Sequence, residues 1–77
     1  MINITLKDIK PGHSCIITGI NMTSPLRKRL IDMGLTIGTL VKVRKYAPLG
    51  DPIELNVRGY ELSLRKSEAA EITVKKP

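Results

Sequence analysis

Two neighbouring stretches of this 77-residue chain alternate apolar and polar side chains with a period of two. Ile53, Leu55 and Val57 alternate with Glu54, Asn56 and Arg58, and Tyr60, Leu62 and Leu64 alternate with Glu61, Ser63 and Arg65. That period places each apolar set on one face of a strand. A two-residue turn at Arg58-Gly59 sets Val57 opposite Tyr60, so all six apolar residues share a face, and a slip of one residue would destroy the match. The pattern predicts a β-hairpin. Leu40 to Tyr46 reads as a strand with Val41 and Val43 on one face and Lys42 and Arg44 on the other. Ser14 to Ile20 reads as a strand with Ile16, Thr18 and Ile20 on one face and Cys15 and Ile17 on the other. Ile72 to Val74 is a final strand.

Between Ser24 and Met33 the period changes. Leu26, Leu30 and Met33 follow the three-and-four spacing of one buried helical face. Ser24 is suited to accept a backbone N–H as N-cap, and Pro25 fits the first helical position. Gly34 can take the left-handed conformation that ends the helix, with Leu35 folding back onto Leu30. Leu6 to Gly12 reads as a turn with one loop of helix around Leu6 and Ile9, Pro48 to Pro52 as a turn-rich loop, and Ser67 to Ala70 as a single helical turn. The fold class expected is mainly β. It is a small, strongly bent five-stranded barrel, residues 1–77 forming one domain, with one helix inserted between the first two strands and a short helical turn before the last.

Composition sharpens this picture. The apolar residues are mostly Ile, Leu and Val, with no Phe or Trp and only two Tyr, so the core must be aliphatic. A chain this short leaves little room for a deep catalytic cavity. Lys and Arg outnumber Asp and Glu by 13 to 7, a net charge of +6, which attracts anionic partners or simply confers solubility. Cys15 is the sole cysteine, so no internal disulfide can form, which points to the cytoplasm. Met1 to Lys10 lacks the apolar stretch of a signal peptide, and no apolar run is long enough to span a bilayer.

From Arg29 onward the chain resembles a FeoA domain. The matching residues are Leu30-Ile31-Asp32-Met33-Gly34-Leu35, Gly38, Val41-Lys42-Val43, Ala47 to Ile53, Arg58-Gly59-Tyr60, Leu62 to Arg65 and Glu68-Ala69, with Leu6-Lys7-Asp8 and Pro11-Gly12 fitting at the start. The resemblance implies an SH3-like barrel that serves FeoB, a membrane protein with a cytoplasmic GTP-binding domain, in bacterial ferrous iron uptake. It implies a non-enzymatic adaptor, cytoplasmic and peripheral to the membrane through that partner. A similar barrel forms the C-terminal domain of iron-dependent repressors, but this chain lacks their DNA-binding and dimerisation domains.

The candidate chemistry is sparse. One His and one Cys, with no nucleophile beside an obvious base, argue against catalysis, and no phosphate-cradling G-x-x-x-x-G-K-[ST] loop is present. His13 and Cys15, two apart on a strand, point to one side, and Asp51 and Glu54 could add oxygens. These four are the candidates for a weak Fe2+ or Zn2+ site, although two soft ligands fall short of the usual four. No cofactor is required. Arg27-Lys28-Arg29 lies in the first turns of the helix, where the macrodipole disfavours cations, so it is a candidate contact patch for an acidic partner. Arg44, Arg58 and Arg65 are candidates to extend that patch, Arg58 from a hairpin tip where positive φ suits Asn or Asp better. Leu49, at the tip of a loop with two prolines, either inserts into a partner or folds back to cap the barrel. Nucleic acid is the weaker partner because two tyrosines make a poor stacking platform.

Overall fold

The computed structural model describes residues 4–21 and 25–77. In chain order these form β1 (Ile4–Thr5), a 3-10 turn (Leu6–Asp8), β2 (Ser14–Ile20), α1 (Pro25–Asp32), β3 (Leu40–Tyr46), β4 (Ile53–Val57), β5 (Tyr60–Leu64), α2 (Lys66–Ala69) and β6 (Ile72–Lys75). The strands make one antiparallel sheet in the order β1-β6-β2-β3-β4-β5. The five expected strands are β2 to β6, with α1 inserted between the first two of them and α2 before the last. The additional strand, β1, pairs only Ile4 with Val74 and Thr5 with Thr73. Two residues are too few to show alternation, which is why the pattern did not reveal it.

The sheet bends because its ladder is interrupted twice. Register shifts fall between Ile17 and Gly19 on β2 and between Val43 and Lys45 on β3, and a bulge of this kind bends its strand and increases the twist. Gly19 is required at the first of them, since a Cβ there would stand 2.8 Å from Thr73 Oγ1. The curl brings the two ends of the sheet together. β1 leads directly into the 3-10 turn, β5 leads into α2, and these two helical segments pack against each other. Leu6 of the one and Ala69 of the other are buried in the common core. Packing of helical turns, rather than a further ladder, therefore closes the barrel.

The interior is aliphatic, as the composition demands. Cys15 and Ile17 face inward from β2, Val41 and Val43 from β3, Ile53, Leu55 and Val57 from β4, Leu64 from β5, and Ile72 and Val74 from β6. Burying each of the larger side chains is worth about 1.5–3 kcal/mol. Thr18, on the opposite face of β2, is exposed, and Ile16 and Ile20 are half-buried. The hairpin has the expected register, Val57 opposite Tyr60 and Ile53 opposite Leu64. Its apolar face is not uniformly buried, however. Tyr60 is 46% exposed, because it stands where β5 leaves the turn and its ring reaches over α1's C-terminus, the hydroxyl donating to the Met33 carbonyl at 2.8 Å.

Helix α1 starts at Pro25. Ser24 as its cap and the side chain of Leu26 lie outside the described residues. Leu30 is fully buried, and the helix ends as expected. Gly34 has φ 95°, its N–H bonds the Ile31 carbonyl at 2.9 Å, and the Leu35 N–H reaches back to Leu30 at 3.0 Å. This is the Schellman arrangement, with buried Leu35 folded onto the helix.

Candidate partner-binding face

The segment after α1 is held stiffly. Gly38 has φ 90° and the Thr39 N–H returns to the Thr36 carbonyl at 3.1 Å, which is the pattern of a type II turn with Ile37 and Gly38 at its corners. The Thr36 and Thr39 hydroxyls lie 2.9 Å apart in a hydrogen bond. The turn is pinned to β2 on both sides, Gly38 N–H to the Ile17 carbonyl at 2.7 Å and Ile17 N–H to the Thr39 carbonyl at 3.1 Å. Yet Ile37, at the corner of this rigid turn, is 68% exposed. Ile31 on α1 is also exposed, and Arg27 lies one turn before it on the same face. Together with Ile20 at the end of β2 and Thr36, these residues line a groove of about 320 Å3.

Of the basic cluster on α1, Arg27 and Lys28 are exposed, and no acid occupies the helix's first turn. Arg29 has another task. Its Nη2 donates to Glu68 Oε2 at 3.1 Å, while Glu68 Oε1 accepts the Arg65 N–H at 2.9 Å. Glu68 is buried, and it ties α1 to the start of α2. Sequence reasoning missed Glu68; the available signal was its place three residues after Arg65, where a carboxylate can reach back to cap a helical turn.

The remaining arginines are dispersed. Arg44, at the β3 bulge, pairs with Glu61 on β5. Arg58 is exposed at the hairpin tip with φ 52°, beside Gly59 at φ 89°. Both central residues thus have positive φ, the type I′ turn, and Arg58 bears the left-handed strain. Arg65 borders a shallow hollow with Asp51 and Pro52. Leu49 is 95% exposed, so it does not fold back on the barrel.

The four metal candidates do not gather into one cluster among the described residues. Cys15 is fully buried opposite Val41, and burial pushes its thiol up to about 11. His13 is exposed at the turn before β2. Asp51 Oδ1 accepts the Lys66 N–H at 2.9 Å, which caps α2, and Glu54 lies 3.7 Å from Lys45 Nζ. Among the described residues no three His, Cys, Asp or Glu side chains converge. The two tyrosines hold turns with their hydroxyls, Tyr60 at Met33 and Tyr46 at the Ile9 carbonyl at 2.5 Å. Among the described residues no helix is long and apolar enough to cross a membrane.

Comparison with known proteins agrees with this architecture. The FeoA domain model matches residues 4–76. A Porphyromonas gingivalis fusion of Fe(2+) transport protein A with the Fe(2+) transporter FeoB is 33% identical over 69 residues, 90% of this chain and 8% of the fusion protein. The chain therefore spans only a small part of that relative. The solution structure of a Chlorobium tepidum FeoA protein is 41% identical with a TM-score of 0.89, covering 95% of this chain and 70% of that one. A Stenotrophomonas maltophilia FeoA complexed with zinc, described as a prokaryotic SH3 domain protein, has a TM-score of 0.82 at 24% identity, over 94% of this chain and 89% of that one. The last likeness shows that the barrel is SH3-like.

Proposed function

Because the chain belongs to the FeoA domain family, we propose that it is a non-enzymatic accessory domain of ferrous iron uptake, docking on a FeoB-type transporter from the cytoplasmic side. The observation that carries this reading is the relative in which such a domain is covalently joined to FeoB; fusion holds two parts at one place and raises their effective concentration. The geometry is compatible. The thiol is buried, and three of the candidate acids and bases are exposed or engaged in ordinary structural contacts. What remains to act is the outer surface, above all Arg27 and Lys28 on α1 with the groove beside them, and Arg58 and Leu49 at their loop tips.

Docking at the GTP-binding region would alter assembly, gating or the nucleotide cycle. An arginine reaching the nucleotide would stabilise transition-state charge. Arg58 is better placed for that than Arg29 or Arg44, whose guanidinium groups are held by Glu68 and Glu61. The test is co-purification with a FeoB-type transporter, followed by GTP hydrolysis with Arg27, Arg44, Arg58 and Arg65 each replaced by Ala. Retention on the transporter is expected. Absence of retention refutes docking, and unchanged hydrolysis in all four variants refutes the arginine mechanism alone.

A further inference from the structure

Resting on the reading that this chain docks on a protein, we propose that the groove lined by Ile20, Ile31, Thr36 and Ile37, with Arg27 at its rim, receives an acidic segment of the partner that carries one branched apolar side chain. Four observations support this occupant. First, the fold does not require Ile37 where it stands. A corner of a type II turn suits Pro or polar residues, and Ile37 gains no burial there, being 68% exposed. Second, the turn is braced by four hydrogen bonds, including two to β2, so Ile37 is presented without ordering cost on binding. Third, the groove's volume of about 320 Å3 suits one or two side chains rather than a folded surface. Fourth, among the described residues the lining includes Arg27 and no carboxylate, and Lys28 follows on the exposed helix, so the electrostatics favour an anionic ligand.

A second copy of this chain fits less well. Its net charge is +6. Of its seven acids, Asp8 is bonded to Thr5, Asp51 to the Lys66 N–H, Glu54 lies by Lys45, Glu61 by Arg44 and Glu68 by Arg29. Most of the carboxylates a copy could offer are thus already engaged.

The test uses the full chain and a detergent-solubilised FeoB-type transporter, with Ile37→Asp, Ile37→Val and Arg27→Glu variants. Ile37 is exposed, so these changes leave the core intact. The expected result is retention weakened about tenfold or more by I37D and R27E and kept by I37V, the size of effect that loss of an interface anchor produces. In parallel, a blocked peptide DELDE is titrated into isotope-labelled protein. It should shift the amides of Ile31, Thr36 and Ile37, and DESDE should do so less. If the wild type is retained and I37D is retained equally, the groove is not the docking site and the docking reading survives. If the wild type is not retained at all, both fall. Self-association lost in I37D would assign the groove to a second copy, and binding to phosphatidylglycerol vesicles lost in I37D would assign it to lipid. Either result overturns the proposal.

Discussion

Replacing Gly34 by Ala should destabilise the protein by about 2–3 kcal/mol, in two parts that can be separated. Gly34 ends α1 with φ 95°, and an L-residue in the left-handed region costs roughly 1–2 kcal/mol. A Cβ there would also stand 2.8 Å from the Tyr60 hydroxyl. The phenol can swing away, but it then gives up its hydrogen bond to the Met33 carbonyl, worth about 1 kcal/mol. In a Tyr60→Phe background the second part has already been lost, so G34A should cost only the backbone part, roughly 1–2 kcal/mol. The assay is urea unfolding followed by circular dichroism for wild type, both single variants and the double variant. A lower midpoint with an unchanged slope reports stability alone. The reasoning fails if G34A costs less than about 0.5 kcal/mol, which would mean that the left-handed conformation carries no strain. It also fails in its second part if the two substitutions are strictly additive.

Other consequences are open to the same measurement. Arg58→Asn should raise stability by about 1 kcal/mol, because Asn tolerates the positive φ that Arg58 adopts at the hairpin tip; a lowered urea midpoint would contradict the type I′ assignment. Glu68→Ala should cost about 2 kcal/mol, whereas Arg29→Ala should cost less than about 1, since the carboxylate caps α2 and the ion pair is largely solvent-exposed on the arginine side. Equal costs would show that the ion pair, not the cap, is what matters. Burial raises the Cys15 thiol from its ordinary 9.0 to about 11. A raised acid of this kind favours the folded state fully below pH 9 and loses that contribution as the pH rises towards 11, a span worth roughly 3 kcal/mol. The urea midpoint should therefore fall more steeply from pH 9 to 11 in the wild type than in Cys15→Ala; parallel curves would refute the buried thiol.

The elements that could be read from the sequence were those whose local pattern has one solution. The hairpin of β4 and β5 could be placed residue by residue, because only one register puts Ile53, Leu55 and Val57 with Leu62 and Leu64 on one face. The end of α1 could be read because Gly34 and Leu35 stand where a Schellman cap needs them. For Tyr60 alternation gave the face but not how far the covering helix extends, and the ring is 46% exposed. The two-residue β1 has no period to detect. The candidate site was less legible still. Arg27 and Lys28 became candidates through their unfavourable place in the helix dipole, but Ile31 and Ile37 did not, because exposure of an isoleucine is decided by tertiary packing. The retrospective signal was Ile37 preceding Gly38 in a turn. The pairing of Arg29 with Glu68 joins residues 39 apart in sequence, beyond the reach of any local rule. His13 and Cys15 were expected on one side of a strand. His13 stands one residue before β2 and is exposed, its carbonyl accepting the Val43 N–H at 3.0 Å, whereas Cys15 is buried within the strand.

Docking through the α1 face of the barrel is tested most directly by amide hydrogen exchange, with and without a bound FeoB-type transporter. The account predicts added protection along α1 and through the turn at Ile37 and Gly38, with the Ser67 to Glu71 region unchanged. Protection confined to the His13 turn, or spread evenly over the whole chain, would contradict it.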